Sequence, residues 1–265
     1  MEEYIIDNDS KKFHLIGIGG ISMSAIAQML KDEGNIVTGS DKSESKQVKI
    51  LRDKGIDVTI GHDILKVRDA DIVIYTAAIP DEDIELVEAR KLKKDIYERA
   101  EFLGILIRRY KNSIGIAGTH GKTTTTSMIS NIFLKAGLNP TIQVGALLKE
   151  INSNYNIGDN ENFIFESCEY KDSFLNFYPK STVITNIDQD HMEYFKTLEN
   201  ILISFKKYVM NIQKNGKIYI NMDDENSKEV LEYAQYNRKD LDIITFGIEN
   251  DKAKYQAKDI EYVEN

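Results

Sequence analysis

The chain has 265 residues, 42% of them hydrophobic and 29% charged, and a formal net charge of −9. That length suits about two domains with proper cores, and the composition excludes a disordered chain. The acidic balance excludes a nucleic-acid surface, which needs clustered Lys and Arg, and the single cysteine, Cys168, excludes a disulfide framework. No run approaches the roughly 18 apolar residues of a membrane span, and the opening Met1-Glu2-Glu3-Tyr4 is acidic where a signal peptide is basic. A cytoplasmic protein without membrane or nucleic-acid partners is expected.

In chain order, residues 13–16 read as a strand, Gly17-Ile18-Gly19-Gly20 as a turn and residues 22–30 as a helix. A further strand at residues 36–39 runs into Ser40-Asp41, which puts an acid where a dinucleotide-type βαβ unit holds a ribose. Ser22 occupies the third-glycine position, so the turn specifies a site for a pyrophosphate and a ribose rather than NAD in particular. Strands follow at residues 57–60 and 71–75, a helix at 82–92, and a linking helix at 101–110 with Leu103, Leu106 and Ile107 on one face. His62, directly after a strand, is a candidate contact to the first nucleotide. The short basic runs Lys91-Leu92-Lys93-Lys94 and Arg108-Arg109 read as solvated helix faces.

Near residue 112 a second unit begins. A strand ending at Ala117 leads into Gly118-Thr119-His120-Gly121-Lys122-Thr123-Thr124-Thr125-Thr126 and then a helix. This is a phosphate-binding loop: Gly118 to Gly121 let backbone N–H groups wrap phosphate oxygens, with Thr119, His120 and Thr124 beside them. Lys122 supplies charge for the β and γ phosphates of a nucleoside triphosphate, and the Thr123 hydroxyl suits Mg²⁺. The pattern departs from the usual template, because Ile116 stands where the first glycine belongs and Gly115 and Gly118 flank it.

Later strands are expected at residues 143–145, 162–165, 182–186, 217–220 and 242–246, with a loop over 152–162. Glu166 follows one of these strands and can hold Mg²⁺ together with Thr123; Asp190 and His191 follow another as further ligands or phosphate contacts. Glu169 reads equally as an extra ligand or an exposed acid, and Cys168 as a small buried residue. The strand-like stretches 254–257 and 260–263 stop without a closing helix, as though the chain were cut within a domain.

The fold class is therefore α/β: a Rossmann-like N-terminal domain over residues 1–111, then a P-loop ATP-binding α/β domain over 112–265 that looks truncated. An unpaired sheet edge there would invite association with a second copy, compatible with a homo-oligomer.

The sequence resembles the Mur ligases of peptidoglycan synthesis. The resemblance rests on the stretch from His14 to Ser24, on Gly39-Ser40-Asp41, on Arg99-Ala100-Glu101, on the loop from Gly118 to Thr125, and on Thr185-Asn186-Ile187 with Asp190-His191-Met192. It implies a ligase joining L-alanine to the carboxylate of UDP-N-acetylmuramate through an acyl phosphate, with ATP and Mg²⁺. By that resemblance Gly17, Gly19, Gly20, Ile21, Ser22, Met23, Ser24 and Asp41 bind the UDP-sugar. Lys122 and Thr123 take phosphate and metal, Glu166 takes a metal, and His191 takes a second metal position. Relatives often read Glu-Ala-Asp-Glu-Ser-Asp where this chain has Glu166-Ser167-Cys168-Glu169-Tyr170-Lys171, so two aspartates are replaced. Relatives also continue into a third domain that closes over ATP. Two other readings use the same motifs: a noncatalytic nucleotide-sugar-binding or regulatory protein derived from such a ligase, and an NAD-dependent oxidoreductase built on the Gly17 turn.

Overall fold

The structure, a computed structural model, describes residues 10–261. The chain divides into two units, one ending at Ile105 and the other beginning at Leu106.

In the first unit β1 (Lys12–Ile16), β2 (Ile36–Asp41), β3 (Asp57–Ile60), β4 (Ile72–Tyr75) and β5 (Asp95–Glu98) form a parallel sheet ordered β3-β2-β1-β4-β5. Helices α1 (Ile21–Asp32), α2 (Lys46–Asp53), α3 (Ile64–Asp69) and α4 (Ile84–Lys91) connect the strands, and α5 (Arg99–Ile107) follows β5. Central β1 buries four of its five residues, His14 included, as a strand covered on both faces must. Ile16, Val67, Ala70, Val73, Leu86 and Ala89 form one buried cluster that joins α3 and α4 to β1 and β4. The strand order reverses at β1, which opens a crevice at the carboxyl ends of the strands.

The second unit holds an eight-stranded sheet ordered β13-β12-β11-β10-β6-β9-β7-β8. Its strands are β6 (Asn112–Ala117), β7 (Thr141–Leu148), β8 (Ser153–Asn156), β9 (Asn162–Glu166), β10 (Ser181–Ile184), β11 (Lys217–Asn221), β12 (Asp242–Gly247) and β13 (Tyr255–Gln256). All neighbours are parallel except β7 and β8. Helix α6 (Lys122–Lys135) follows β6; α7 (Met192–Phe195) and α8 (Leu198–Met210) follow β10; α9 (Glu225–Asn237) follows β11. Strand β6 has β9 on one side and β10 on the other, so the carboxyl ends of all three meet where the order reverses.

The helix starts differ in a way that matters for binding. Ser45, Asp63, Asp83, Thr197 and Asp224 cap α2, α3, α4, α8 and α9 by accepting first-turn N–H groups. Helices α1 and α6 instead begin on Gly20 and Gly121 with no side-chain cap, so their first N–H groups and the positive end of each dipole remain available to an anion.

Several expectations are corrected. Within the supposed loop at 152–162, Ser153–Asn156 pairs antiparallel with β7; its Ser-Asn-Tyr-Asn composition suits a polar edge strand and carries no apolar alternation. The strand expected over 182–186 ends at Ile184, because Thr185 and Asn186 turn to bond the phosphate loop. Of the strand at 254–257 only Tyr255–Gln256 pairs, Ile260 and Glu261 lie outside regular structure, and Tyr262 and Val263 fall outside the described residues, as does Met1 to Tyr4. The basic runs are not simply solvated: Arg108 stacks on Tyr178 at 3.8 Å, and the Lys94 ammonium donates to the carbonyls of Arg68 and Ala70. Among the described residues no helix is long and apolar enough to cross a membrane.

Beneath the phosphate-loop strand, the fully buried Tyr208 hydroxyl bonds Ser167 Oγ at 2.8 Å and Thr182 Oγ1 at 3.1 Å. A Cβ at Gly115 would approach that hydroxyl to 2.7 Å, so this glycine clears the tyrosine, not a phosphate. Burial raises the Tyr208 pKa from 10.0 to about 12, with the Ser167 and Thr182 bonds pulling the other way. The unfolded chain therefore releases this proton first, and stability present below pH 10 is lost as pH rises towards 12. Tyr208→Phe should cost about 1–2 kcal/mol at neutral pH, since it leaves the buried Ser167 hydroxyl without its partner while Thr182 keeps the Gly115 carbonyl. It should also flatten the alkaline fall in stability, both read from urea unfolding between neutral and alkaline pH.

Candidate functional site

The phosphate loop is shaped by the segment after β10. Gly118 has φ +131° and Gly121 φ +81°. Asn186 accepts from the N–H of Thr119 through its carbonyl and from the N–H of His120 through Oδ1, both at 2.9 Å. Thr185 Oγ1 and Asn186 Nδ2 donate to the His120 carbonyl, and Thr119 Oγ1 accepts from the Asp188 N–H at 2.8 Å. The ladder of α6 starts with Thr125 N bonding Gly121 O, which leaves the N–H groups of Lys122, Thr123 and Thr124 ahead of it. Asn186, which shapes this loop, was not singled out by spacing alone, although it stood within a quoted motif.

Lys122 Nζ donates to the carbonyls of Gly118 (2.6 Å) and Thr119 (3.0 Å) and pairs with Glu169 at 3.0 Å. The Glu169 side chain is 2% exposed, which overturns the reading of an exposed acid: a buried carboxylate requires such a partner. Cys168, expected to be buried, is exposed, while its neighbours Ser167 and Glu169 turn inward to Tyr208 and Lys122. Ligand atoms of Glu169, Asp190 and His191 lie within 4.8 Å of one another. His191 has φ +51° and packs against Tyr170, the rings tilted by 38° with centroids 4.6 Å apart. Lys171 and Asp172 also have positive φ, and the Asp172 carboxylate accepts from Tyr194 OH at 2.7 Å and from Ser204. Left-handed backbone at three non-glycine residues here is held by side-chain bonds, a pattern found at functional sites.

Thr123 and Glu166 form a second group. Glu166 Oε1 accepts from the Gly145 N–H at 2.7 Å. A Cβ at Gly145 would lie 3.0 Å from Glu166 Oε2 and 3.3 Å from Thr123 Oγ1, so both oxygens face this bare backbone. A hydroxyl and a carboxylate beside a phosphate loop fit Mg²⁺, a hard cation that takes few protein oxygens and keeps its remaining positions for water and phosphate.

In the first unit a cavity of about 660 Å³ lies at the carboxyl ends of the strands. Gly17, Gly19, Gly20, Asp41 and His62 line it; Ile21, Ser22, Met23 and Ser24 do not. Met23 and Ser24 are buried in α1, Ile21 is half exposed, and Ser22 Oγ accepts from Arg99 at 3.4 Å. Asp41 Oδ2 accepts from the Gly19 N–H at 2.8 Å, and a Cβ on Gly19 would collide with that carboxylate. Asp83 and Glu85, unnoticed in the sequence, also line the cavity, and His62 Nδ1 lies 3.7 and 3.5 Å from them.

Two glycine-started helices, each following a strand at the carboxyl edge of a largely parallel sheet, are the arrangement of an α/β protein with two candidate anion sites. Comparison with known proteins agrees: residues 12–111 match the family described as Mur ligase family, catalytic domain, and residues 116–265 match the Mur ligase middle domain. The chain belongs to the Mur ligase family. It is 56% identical over 226 residues to UDP-N-acetylmuramate–L-alanine ligase of Caldicellulosiruptor saccharolyticus, covering 85% of this chain and 50% of that protein. The crystal structure of UDP-N-acetylmuramate–alanine ligase from Thermotoga maritima superposes with a TM-score of 0.75 at 31% identity, over 91% of this chain and 53% of that one. UDP-N-acetylmuramate:L-alanyl-γ-D-glutamyl-meso-diaminopimelate ligase of Neisseria meningitides superposes at 0.77 and 25% identity, over 90% and 78%. The chain spans about half the length of the curated relatives it matches.

The two loop glycines should respond differently to alanine. At Gly118 a Cβ would overlap the Thr185 hydroxyl and lie 3.0 Å from the Asn186 carbonyl. Gly118→Ala should therefore cost about 3 kcal/mol or more. Gly121 has open space around it, so Gly121→Ala should cost only about 1 kcal/mol from its positive φ. Denaturant midpoints of the two variants measure the contrast.

Proposed function

We propose that this chain carries the sugar-nucleotide and ATP sites of a cytoplasmic ligase that joins L-alanine to UDP-N-acetylmuramate, residues 1–111 serving the sugar nucleotide and 112–265 serving ATP. The observation that carries this reading is the pair of uncapped helix starts, α1 beside Asp41 and α6 beside Lys122 and Thr123. Identity of 56% to a UDP-N-acetylmuramate–L-alanine ligase supports the choice of substrates.

On this reading the first bond of α1 runs from Ser24 N to Gly20 O. The N–H groups of Ile21, Ser22 and Met23 then face the pyrophosphate, so these residues bind through backbone while their side chains pack or lie aside. In the second unit the N–H groups of Lys122, Thr123 and Thr124, with Gly118 to Gly121, cradle the triphosphate. The muramic acid carboxylate attacks the γ-phosphorus and ADP leaves, giving an acyl phosphate; the alanine amine then attacks the acyl carbon, and phosphate leaves. Mg²⁺, when bound, neutralises charge on the transferring phosphoryl group. Thr123 and Glu166 would hold it. Lys122 exchanges Glu169 for phosphate oxygens, and the released Glu169 joins Asp190 and His191, a donor set suited to a second cation.

Lys122→Ala should lower Mg-ATP affinity at least about tenfold, since a charge-assisted phosphate contact is lost. Affinity for UDP-N-acetylmuramate should stay within about twofold, because its site lies in the other unit. Calorimetric titration of the wild-type chain and the variant with each ligand tests this. Equal loss of both ligands, or a wild-type chain that ignores the sugar nucleotide, overturns the assignment.

A further inference from the structure

We infer that Glu85 is a positioning residue for the sugar-nucleotide cavity, its buried carboxylate orienting the His62 imidazole through Nδ1 so that Nε2 is presented to the bound nucleotide. The inference rests on the reading of this cavity as the sugar-nucleotide site.

Glu85 sits in the first turn of α4 with no exposed surface, and so does His14 on β1. Four groups from three segments converge on its two oxygens, His62 and Asp63 being neighbours. Oε1 accepts from the Asp63 N–H at 2.7 Å and meets His14 Nε2 at 3.3 Å. Oε2 accepts from Ser40 Oγ at 2.6 Å and lies 3.5 Å from His62 Nδ1. Burial would raise the Glu85 pKa, but the bonds from His14, Ser40 and Asp63 outweigh it and hold the carboxyl below its ordinary value. The group is therefore an anion at neutral pH.

What this anion holds is the wall of the cavity. The Ser40 carbonyl accepts the N–H groups of Gly17 and Ile18 at 2.8 and 3.0 Å, which sets the glycine turn. Asp63 caps α3 through Oδ1, and its N–H on Glu85 fixes the peptide joining it to His62. Asp83 adds a second carboxylate 3.7 Å from His62 Nδ1 while its Oδ1 caps α4. An imidazole with carboxylates against one nitrogen keeps its proton on that nitrogen and turns the other towards solvent or ligand. His62 is half exposed and lines the cavity. A buried carboxylate is costly unless donors surround it, and those around Glu85 come from His14, Ser40 and Asp63, with the half-exposed His62 imidazole 3.5 Å away.

The test is a double-mutant cycle on the full chain, with Glu85→Gln, His62→Ala and the pair titrated calorimetrically against UDP-N-acetylmuramate. Glu85→Gln should weaken binding about tenfold when His62 is present and less than about twofold when it is absent, with Mg-ATP affinity unchanged in every variant. Equal losses in both backgrounds mean that Glu85 acts only on structure and overturn the inference. A second readout does not depend on any variant folding: nitrogen NMR of the wild-type imidazole at about pH 8, above the ordinary histidine range, should show His62 protonated at Nδ1. A proton on Nε2 instead would also sink it. A wild-type chain that binds no UDP-N-acetylmuramate while His62 carries its proton on Nδ1 removes the ligand assignment and this inference with it. Binding with additive losses removes only the inference.

Discussion

A parallel strand that ends in a glycine turn delivers the start of a helix to the edge of its sheet, and everything bound at that edge depends on those N–H groups being left unpaired. Among the described residues five other helices spend a Ser, Thr or Asp on their first turn. Helices α1 and α6 start on glycine instead, and the one-turn α7 starts on His191, also without a side-chain cap. Glycine at a helix start costs only about a few tenths of a kcal/mol relative to a side-chain cap, so α1 and α6 keep their first N–H groups open at little loss of stability. Both follow the central strand of their sheet, β1 and β6, where the strand order reverses and neighbouring loops part.

Around these two helix starts the charges are arranged so that no buried ion stands alone. Lys122 is satisfied by two loop carbonyls and Glu169, a set of oxygens that resembles what a triphosphate would offer. Phosphate can replace these oxygens without leaving the ammonium bare, because the exchange trades one anionic partner for another. Glu85 in the first unit follows the same rule in reverse, an anion enclosed by donors. The left-handed backbone at Lys171, Asp172 and His191 is concentrated beside the Lys122–Glu169 pair, next to the Tyr170–His191 ring contact and the Asp172 bonds.

Much of this was legible in the sequence. Both glycine turns, their strands and their helices fall where periodicity and glycine spacing put them, because these signals are local. The misreadings share a cause as well. Strand β8 is polar and exists because β7 is beside it. Glu169 is buried because Lys122 meets it from 47 positions away, and Glu85 because His14, 71 positions earlier, lies across the sheet. The same partnership explains Asn186, whose amide shapes a loop 66 positions away.

By itself the sequence determined the α/β class, the two glycine turns and the residues Lys122, Thr123, Asp41 and Glu166 as candidates, since each is fixed by neighbours within a few positions. Only the tertiary structure decided which helix starts lack a cap, which acids are buried, and that Thr123 faces Glu166 across Gly145 while His191 gathers with Glu169 and Asp190. Those outcomes depend on which strands lie side by side. Strand order is set by packing over the whole sheet, and no local pattern of residues encodes it.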